Sequence, residues 1–282
     1  RYVGDVRIRL LLTRQAGTRI SDLVDRDTLF VTTDTDQEEV RNIFSKHDLI
    51  VIPVLDQDHH IAGRITADRV IEVAEEEAAE DVFAMAGTDP DELESESVFN
   101  AARIRLTWII PCLFGTAITA LVMRYFEIQY AAVYVVAVAF VPMIAAISGN
   151  TGLQTSAIVV QGLATGHLAA LRFSQVFSRE VRIALIIAVA CGVIGGIVCG
   201  VISYFKASPD APTSIAMARL VLAFGMAMFT AIMVSTTLGL GLPFLFKRIN
   251  IDPAISSGPI VTTANDSISV AIYMTLAINL AV

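Results

Sequence analysis

A series of long apolar stretches after residue 103 limits this chain to few folds. They cover about residues 106–126, 130–148 with an irregular continuation to 164, 181–205, 216–246 and 255–281. Each is close to the ~20 apolar residues that a helix needs to cross a bilayer. Hydrophobic residues make up 55% of the chain, above the ~45–50% of soluble globular proteins. The pattern predicts a polytopic α-helical membrane protein with five transmembrane helices and argues against an ordinary soluble enzyme.

Charge is distributed unevenly between the two parts of the chain. Residues 1–100 hold 23 acidic and 10 basic side chains, whereas residues 101–282 hold 5 and 10. Nucleic acid is excluded as a partner of the acidic part, because phosphate binding depends on Lys and Arg. A cation suits that surface better.

The first hundred residues predict a small α/β domain. Leu49–Leu55 and Ile61–Thr66 have the composition of short strands. Helical spacing of apolar residues extends from Thr33 to Lys46, with Thr33 or Asp34 as the cap.

An internal repeat sets the expected domain boundaries. Residues 2–8 match residues 61–67 in pattern around a glycine, 59 positions apart. We therefore expect the tail of one module and all of the next in residues 1–72, within a longer protein. An acidic connecting helix and linker (73–102) and a membrane domain (103–282) follow.

The connecting helix carries one sign of charge. Residues 69–85 are rich in Ala and Glu, which favour helix. Like charges one turn apart repel unless something neutralises them. Two interpretations stay open, a solvated helix face and a surface that binds divalent cations.

A single carboxylate, Asp266, lies inside the last apolar stretch. A charge at the centre of a membrane helix costs at least ~2.5–3.5 kcal/mol, so it is expected to face a polar cavity. Thr262, Ser269 and Tyr273 share its helical face by spacing. The alternative is an Asp that only bonds a neighbouring helix.

Polar residues also interrupt the second stretch, between Ser148 and Ser156. Gly149 and Gly152 weaken the helix there, and non-helical backbone at membrane depth is tolerated where it lines a cavity. Asn150 and Gln154 place two amides on one side. The segment is therefore interpreted as pore lining, with close helix packing through small residues as the alternative.

The donor set indicates which cation would bind. Carboxylate, amide and hydroxyl oxygens without thiolate or His favour a hard ion. Mg²⁺ is commonly held by one or two carboxylates through retained waters. One Asp half-neutralises such an ion, so two copies of Asp266 in a homodimer are expected around it.

The distribution of basic residues predicts the orientation. With the start of the first span on the cytoplasmic side, inside segments hold seven Lys or Arg and outside segments three. The positive-inside rule then places the acidic domain in the cytoplasm of a multi-pass protein of the cell membrane.

The two membrane motifs resemble those of the MgtE family of magnesium channels. They are Ser148–Ser156 with Gly162–Thr165, and Asp252–Ala254 with Ser257, Pro259, Thr263 and Asp266. The resemblance implies a homodimer in lipid with the pore on its two-fold axis, where Asp266 holds hydrated Mg²⁺, and the Asn of the family's second-span motif corresponds to Asn150. The candidate pore residues are Asp266, Asn150, Gln154, Thr262, Thr263 and Asn265. Ser148 and Leu153 depart from the family pattern, which has Gly and Asn there in many members.

The soluble part resembles a pair of cystathionine-β-synthase (CBS) modules, with Gly63–Asp68 as the closing signature. The resemblance implies that acidic residues of this part bind regulatory Mg²⁺ and close the channel. Those candidates are Asp36, Asp48, Glu72, Glu77, Glu80 and Asp81. ATP binding through Thr66 and Asp68 is a further expectation, although the same residues would cap a helix. Arg69 replaces an expected acidic residue, and the family's amino-terminal helical domain is absent from the sequence.

The sequence thus predicts a Mg²⁺-selective channel gated by intracellular Mg²⁺, with no catalytic residues and no enzyme activity. One alternative is a proton- or sodium-coupled divalent cation transporter in which Asp266 titrates. A second is a non-transporting membrane sensor that binds nucleotide.

Overall fold

The computed structural model describes residues 1–165, 168, 173–205, 214–256 and 258–281. Arg172 and Lys206, which the orientation argument counts, and Ser257 of the second motif lie outside the described residues. The chain divides into two compact units, Arg1–Ala79 and Glu80–Val282.

The first unit contains a three-stranded sheet. Strand β1 (Val31–Thr32) pairs in parallel with β2 (Val51–Leu55), and β2 pairs antiparallel with β3 (Ile61–Thr66). The two predicted strands are confirmed as a hairpin. Helices α1 (Ile8–Thr13) and α2 (Gln37–His47) belong to the same unit. Its buried apolar core consists of Val31, Val40, Phe44, Ile52 and Val70.

The predicted helix cap, Thr33 or Asp34, was wrong by three or two residues. Asp36 caps α2, and its carboxylate accepts a hydrogen bond from the backbone N–H of Glu38 at 2.8 Å. The residues before it form a turn, in which the hydroxyl of Thr35 accepts from the N–H of Thr32 at 2.9 Å. This turn delays the helix beyond Thr33 and Asp34.

The repeated segment at the start of the chain forms no strand, although the structure describes all of it. Asp5 instead makes an isolated antiparallel bridge with Asp25. The N–H of Tyr2 donates to the carbonyl of His59 at 2.8 Å. The residues around Gly4 therefore pack against the other elements differently from those around Gly63.

The predicted acidic helix is confirmed as α3 (Ala67–Ala86), which a short helix, α4 (Asp91–Glu94), follows. The other helices of the second unit are α5 (Val98–Gln129), α6 (Ala131–Ala137), α7 (Val141–Ala164), α8 (Phe173–Phe205), α9 (Ser214–Arg248) and α10 (Pro259–Ala281).

Four described helical segments are long and apolar enough to cross a membrane: 98–129, 131–164, 173–204 and 218–248. Helix α10 is not among them. Thr262, Thr263, Asn265 and Asp266 lie within five consecutive residues near its start, and these polar side chains lower its mean hydropathy. The membrane class is therefore confirmed, and the count of five spans stays a prediction.

The predicted helix break in the second span was wrong in position. Helix α7 runs without interruption through Gly149 and Gly152. The irregular turn is three residues of 3-10 helix, 138–140, just before Pro142 in the first turn of α7. Gly152 instead lies against Ser235 of α9, where a Cβ would overlap the serine hydroxyl. Close helix packing explains this glycine better than a broken backbone.

Candidate cation site

Helix α10 contacts α5, α7 and α9, and these contacts fix which side chains it presents to each neighbour. Thr263 faces α5, where its methyl group fills the space beside Gly115. One turn on, the hydroxyls of Ser267 and Thr119 are hydrogen-bonded at 2.7 Å. Thr263 thus belongs to the α5–α10 contact.

A neighbouring side of α10 faces α7 at Gly149. A Cβ at Gly149 would lie 3.1 Å from the methyl group of Thr262 and 3.9 Å from Oδ1 of Asp266. The absence of a side chain at Gly149 lets Thr262 approach α7 closely, and Asp266 lies at ordinary contact distance from the same position. Thr262 and Asp266 are brought together here, as the sequence predicts.

Asn265 lies on the same side but is fully buried. Its Nδ2 donates to the hydroxyl of Ser148 at 2.9 Å. Its Oδ1 is buried and has no hydrogen-bond partner among the described residues. Asn265 therefore lies inside the helix contact, whereas its neighbour Asp266 is partly exposed.

Two amides occupy the open side of α7. Asn150 follows Gly149 directly, and both Asn150 and Gln154, one turn further on, are exposed. Among the described residues Asp266 has no ion pair with Lys, Arg or His. The result is a carboxylate without a protein counter-charge beside Gly149 of α7, and the same helix carries two exposed amides.

The far end of the predicted polar stripe is used for packing. Tyr273 is fully buried, and its hydroxyl donates to the carbonyl of Ala137 at 3.0 Å. Ser269 is buried and donates to the backbone carbonyl of Asp266 at 3.2 Å. The stripe is therefore open to a cation only around Thr262 and Asp266.

The candidate regulatory residues of the first unit are spread over its surface. Asp36 and Asp48 cap opposite ends of α2, about 18 Å apart at 1.5 Å per residue. Asp48 has a left-handed backbone with φ 49°. One ion cannot bind both carboxylates.

The candidates on α3 make contacts of their own. Glu77 accepts a hydrogen bond from the amide of Gln37, which brings it near Asp36. Glu72 pairs with Arg69 at 2.5 Å. Glu80 is exposed and Asp81 partly buried. In the described part of the chain no three His, Cys, Asp or Glu side chains converge as a metal site, so Mg²⁺ bound here would keep most of its waters.

The predicted nucleotide residues touch each other. The hydroxyl of Thr66 donates to the carboxylate of Asp68, and this bond, with backbone N–H groups of the first turn of α3, lowers the pKa of Asp68. The arrangement is that of a helix cap. ATP binding at these residues stays a prediction.

An ion pair that the sequence did not reveal lies between α4 and the start of α5. Nε of Arg105 donates to Oε1 of Glu92 at 2.8 Å, and the hydroxyl of Thr88 donates to Oε2 at 2.6 Å. These two donors lower the pKa of Glu92 to about 2. The pair is separated by 13 positions, beyond the helical spacing that a sequence pattern can detect.

The long apolar helices and the small α/β unit with a parallel and an antiparallel strand pair define a multi-pass helical membrane protein with a CBS-type domain. Its candidate site is a carboxylate between two of the helices. Residues 141–276 match the sequence model of the MgtE family, described as a divalent cation transporter, and residues 20–76 match that of the CBS domain. The chain therefore carries an MgtE-family domain preceded by a CBS domain, which confirms the resemblance.

Three curated relatives align with 98% of this chain, and each is named a magnesium transporter, MgtE. The protein of Enterococcus faecalis is 33% identical over 275 residues, that of Bacillus subtilis 31% over 278, and that of Thermus thermophilus 29% over 281. The chain spans 58–59% of the length of these relatives.

Proposed function

We propose that this chain conducts Mg²⁺ through a membrane pore and that intracellular Mg²⁺ closes it. The observation that supports conduction is Asp266, which is partly exposed beside Gly149 of α7, the helix that also carries the exposed amides of Asn150 and Gln154. Ionisable residues inside membrane helices are costly and are usually found where they serve ions or substrates. The relatives' names agree with Mg²⁺ as the substrate.

The chemistry of the site suits a hydrated ion. Asp266 provides one negative charge, and the amides of Asn150 and Gln154 offer hydrogen-bond acceptors to coordinated water. Mg²⁺ releases its water reluctantly, so outer-sphere contacts of this kind fit it. A second copy of Asp266 across a two-fold axis would complete the charge balance, and we therefore place the pore between two copies of the chain.

We assign regulation to residues 1–72 and 73–102 on the cytoplasmic side, and conduction to residues 103–282. The acidic helix α3 ends where α10 begins: the carbonyl of Met85 lies against Gly258, and a Cβ at Gly87 would lie 2.7 Å from Cγ of Pro259. Movement of this end of α3 would therefore be transmitted to the helix that carries Asp266. Mg²⁺ that screens the carboxylates of α3 would favour one position of the helix over another.

The test is Mg²⁺ flux into liposomes that contain the purified protein, with Mg²⁺ inside the liposomes varied. Asp266→Ala should reduce flux to the level of empty liposomes. Glu127→Ala is the matched control, because Glu127 is an exposed acid that pairs with Arg124 on α5, and its flux should equal that of the wild type. Flux should also fall as Mg²⁺ on the CBS side rises.

Each possible result of this experiment supports or contradicts one of the hypotheses. Wild-type flux in Asp266→Ala would contradict the pore. Flux that requires a proton or sodium gradient would support the coupled transporter instead. Flux that is insensitive to Mg²⁺ on the CBS side would contradict the gating and leave conduction intact.

A further inference from the structure

Ser148 joins three membrane helices through hydrogen bonds. Its hydroxyl donates to the carbonyl of Ile144 at 2.7 Å and accepts from Nδ2 of Asn265 at 2.9 Å. Its own carbonyl accepts from the hydroxyl of Ser235 at 2.6 Å. Ser148, Ser235 and Asn265 are all fully buried. The serine therefore connects α7 to α9 and to α10 at one level of the bundle.

The bond from Asn265 fixes the rotation of α10. Consecutive helical residues point about 100° apart, so holding Asn265 inside the contact leaves Asp266 at its edge. The contact with Gly149, next to Ser148, lies at the same level. A small rotation or slide of α10 would move the carboxylate of Asp266 away from this position.

We propose that Ser148 and Asn265 are positioning residues that hold Asp266 at the open face of α7, and that Asn265 itself does not bind the ion. The inference rests on the proposed role of Asp266 in conduction. Oδ1 of Asn265 has no partner among the described residues, so the bond from Nδ2 to Ser148 is what ties this amide to α7. Loss of the Ser148 hydroxyl would remove that tie and leave the amide its hydrogen bond to the neighbouring carboxylate of Asp266.

The experiment compares Ser148→Ala, Asn265→Leu, the double variant and Ser156→Ala in liposomes. Ser156 is the matched control, since it is also a fully buried serine of α7, but its hydroxyl has no partner among the described residues. For each protein the Mg²⁺ concentration at half-maximal flux, the maximal flux, the ratio of Mg²⁺ to Ca²⁺ flux and the thermal midpoint are measured.

Ser148→Ala should raise the half-saturating Mg²⁺ concentration about 3- to 10-fold, which is the range expected for the loss of one hydrogen bond. It should also lower the ratio of Mg²⁺ flux to Ca²⁺ flux. The half-saturating Mg²⁺ concentration of the double variant should lie within about 2-fold of that of the more affected single variant, because both substitutions break the same hydrogen bond. It should also regain thermal stability, since no amide is left buried without a partner. Ser156→Ala should match the wild type.

Equal half-saturating concentrations in Ser148→Ala and Ser156→Ala would overturn the proposal. So would a loss of maximal flux and stability with an unchanged half-saturating concentration, because that pattern indicates a folding role only. Asp266→Ala separates this failure from that of the proposed function: if it still conducts, the pore assignment is wrong, whatever Ser148→Ala does.

Discussion

The carbonyl oxygen of Met85 lies directly against Gly258, so that the last turn of α3 touches the residue before α10. Gly258 has φ +60°, and a Cβ at this position would overlap the Met85 oxygen. The contact requires glycine for its backbone conformation and for the space beside it.

Gly258→Ala should therefore lower the free energy of unfolding by about 2 kcal/mol or more, because it adds a left-handed penalty and a backbone clash. It should also weaken the response of flux to Mg²⁺ on the CBS side. Gly241→Ala on α9 is the control, since a Cβ there meets nothing within 4 Å, and it should be neutral or stabilising by up to ~1 kcal/mol. Thermal unfolding in nanodiscs and Mg²⁺ flux give the two measurements. Equal stability of the two variants would contradict the close contact.

Glu92→Gln should destabilise the α4–α5 junction in a pH-dependent way. The pKa of Glu92 falls from 4.5 to about 2 in the folded protein. A lowered pKa contributes stability above pH 4.5, and that contribution is lost as the pH falls toward 2. The thermal midpoints of wild type and variant should thus differ at pH 6 and converge as the pH approaches 2. Glu127→Gln, at an exposed pair, should show little difference at any pH; a constant gap for Glu92→Gln would contradict the assignment.

Thr262 and Thr263 are adjacent but face different helices, which makes them a matched pair. Both hydroxyls donate to carbonyls one turn earlier. Thr262→Val should raise the half-saturating Mg²⁺ concentration several-fold, which is about the effect expected for the loss of one hydrogen bond, because the side chain lies beside Asp266 at Gly149. Thr263→Val, at the α5 contact, should leave that concentration unchanged. The same shift in both variants would show that α10 is rotated relative to this structure.

Tyr273→Phe should cost about 1 kcal/mol of unfolding free energy. The hydroxyl is buried and bonds to the carbonyl of Ala137, at the irregular turn between α6 and α7. Removing it leaves that carbonyl without this donor. Tyr125→Phe is the control, because Tyr125 is 58% exposed, and its thermal midpoint should not change. A neutral Tyr273→Phe would mean that the carbonyl finds another donor.

Local patterns predicted much of the fold. Short runs rich in β-branched residues predicted the strands β2 and β3, and the Ala- and Glu-rich run with almost no helix breaker predicted α3. The polar group inside the last apolar stretch identified Asp266. Local preference did not predict that α7 passes through two glycines unbroken, because their close contacts with α9 and α10 outweigh the low helix propensity of glycine.

The amino-acid sequence by itself determined the membrane class, the acidic α/β domain and the single carboxylate inside the last apolar stretch, since hydropathy and charge are properties of consecutive residues. Tertiary structure alone decided which neighbour each of four polar residues of α10 contacts. Thr263 packs against Gly115 of α5 and Asn265 is buried in a hydrogen bond to Ser148, whereas Thr262 and Asp266 lie beside Gly149. Spacing along a helix gives relative angles, but the helices packed around it determine which direction is open.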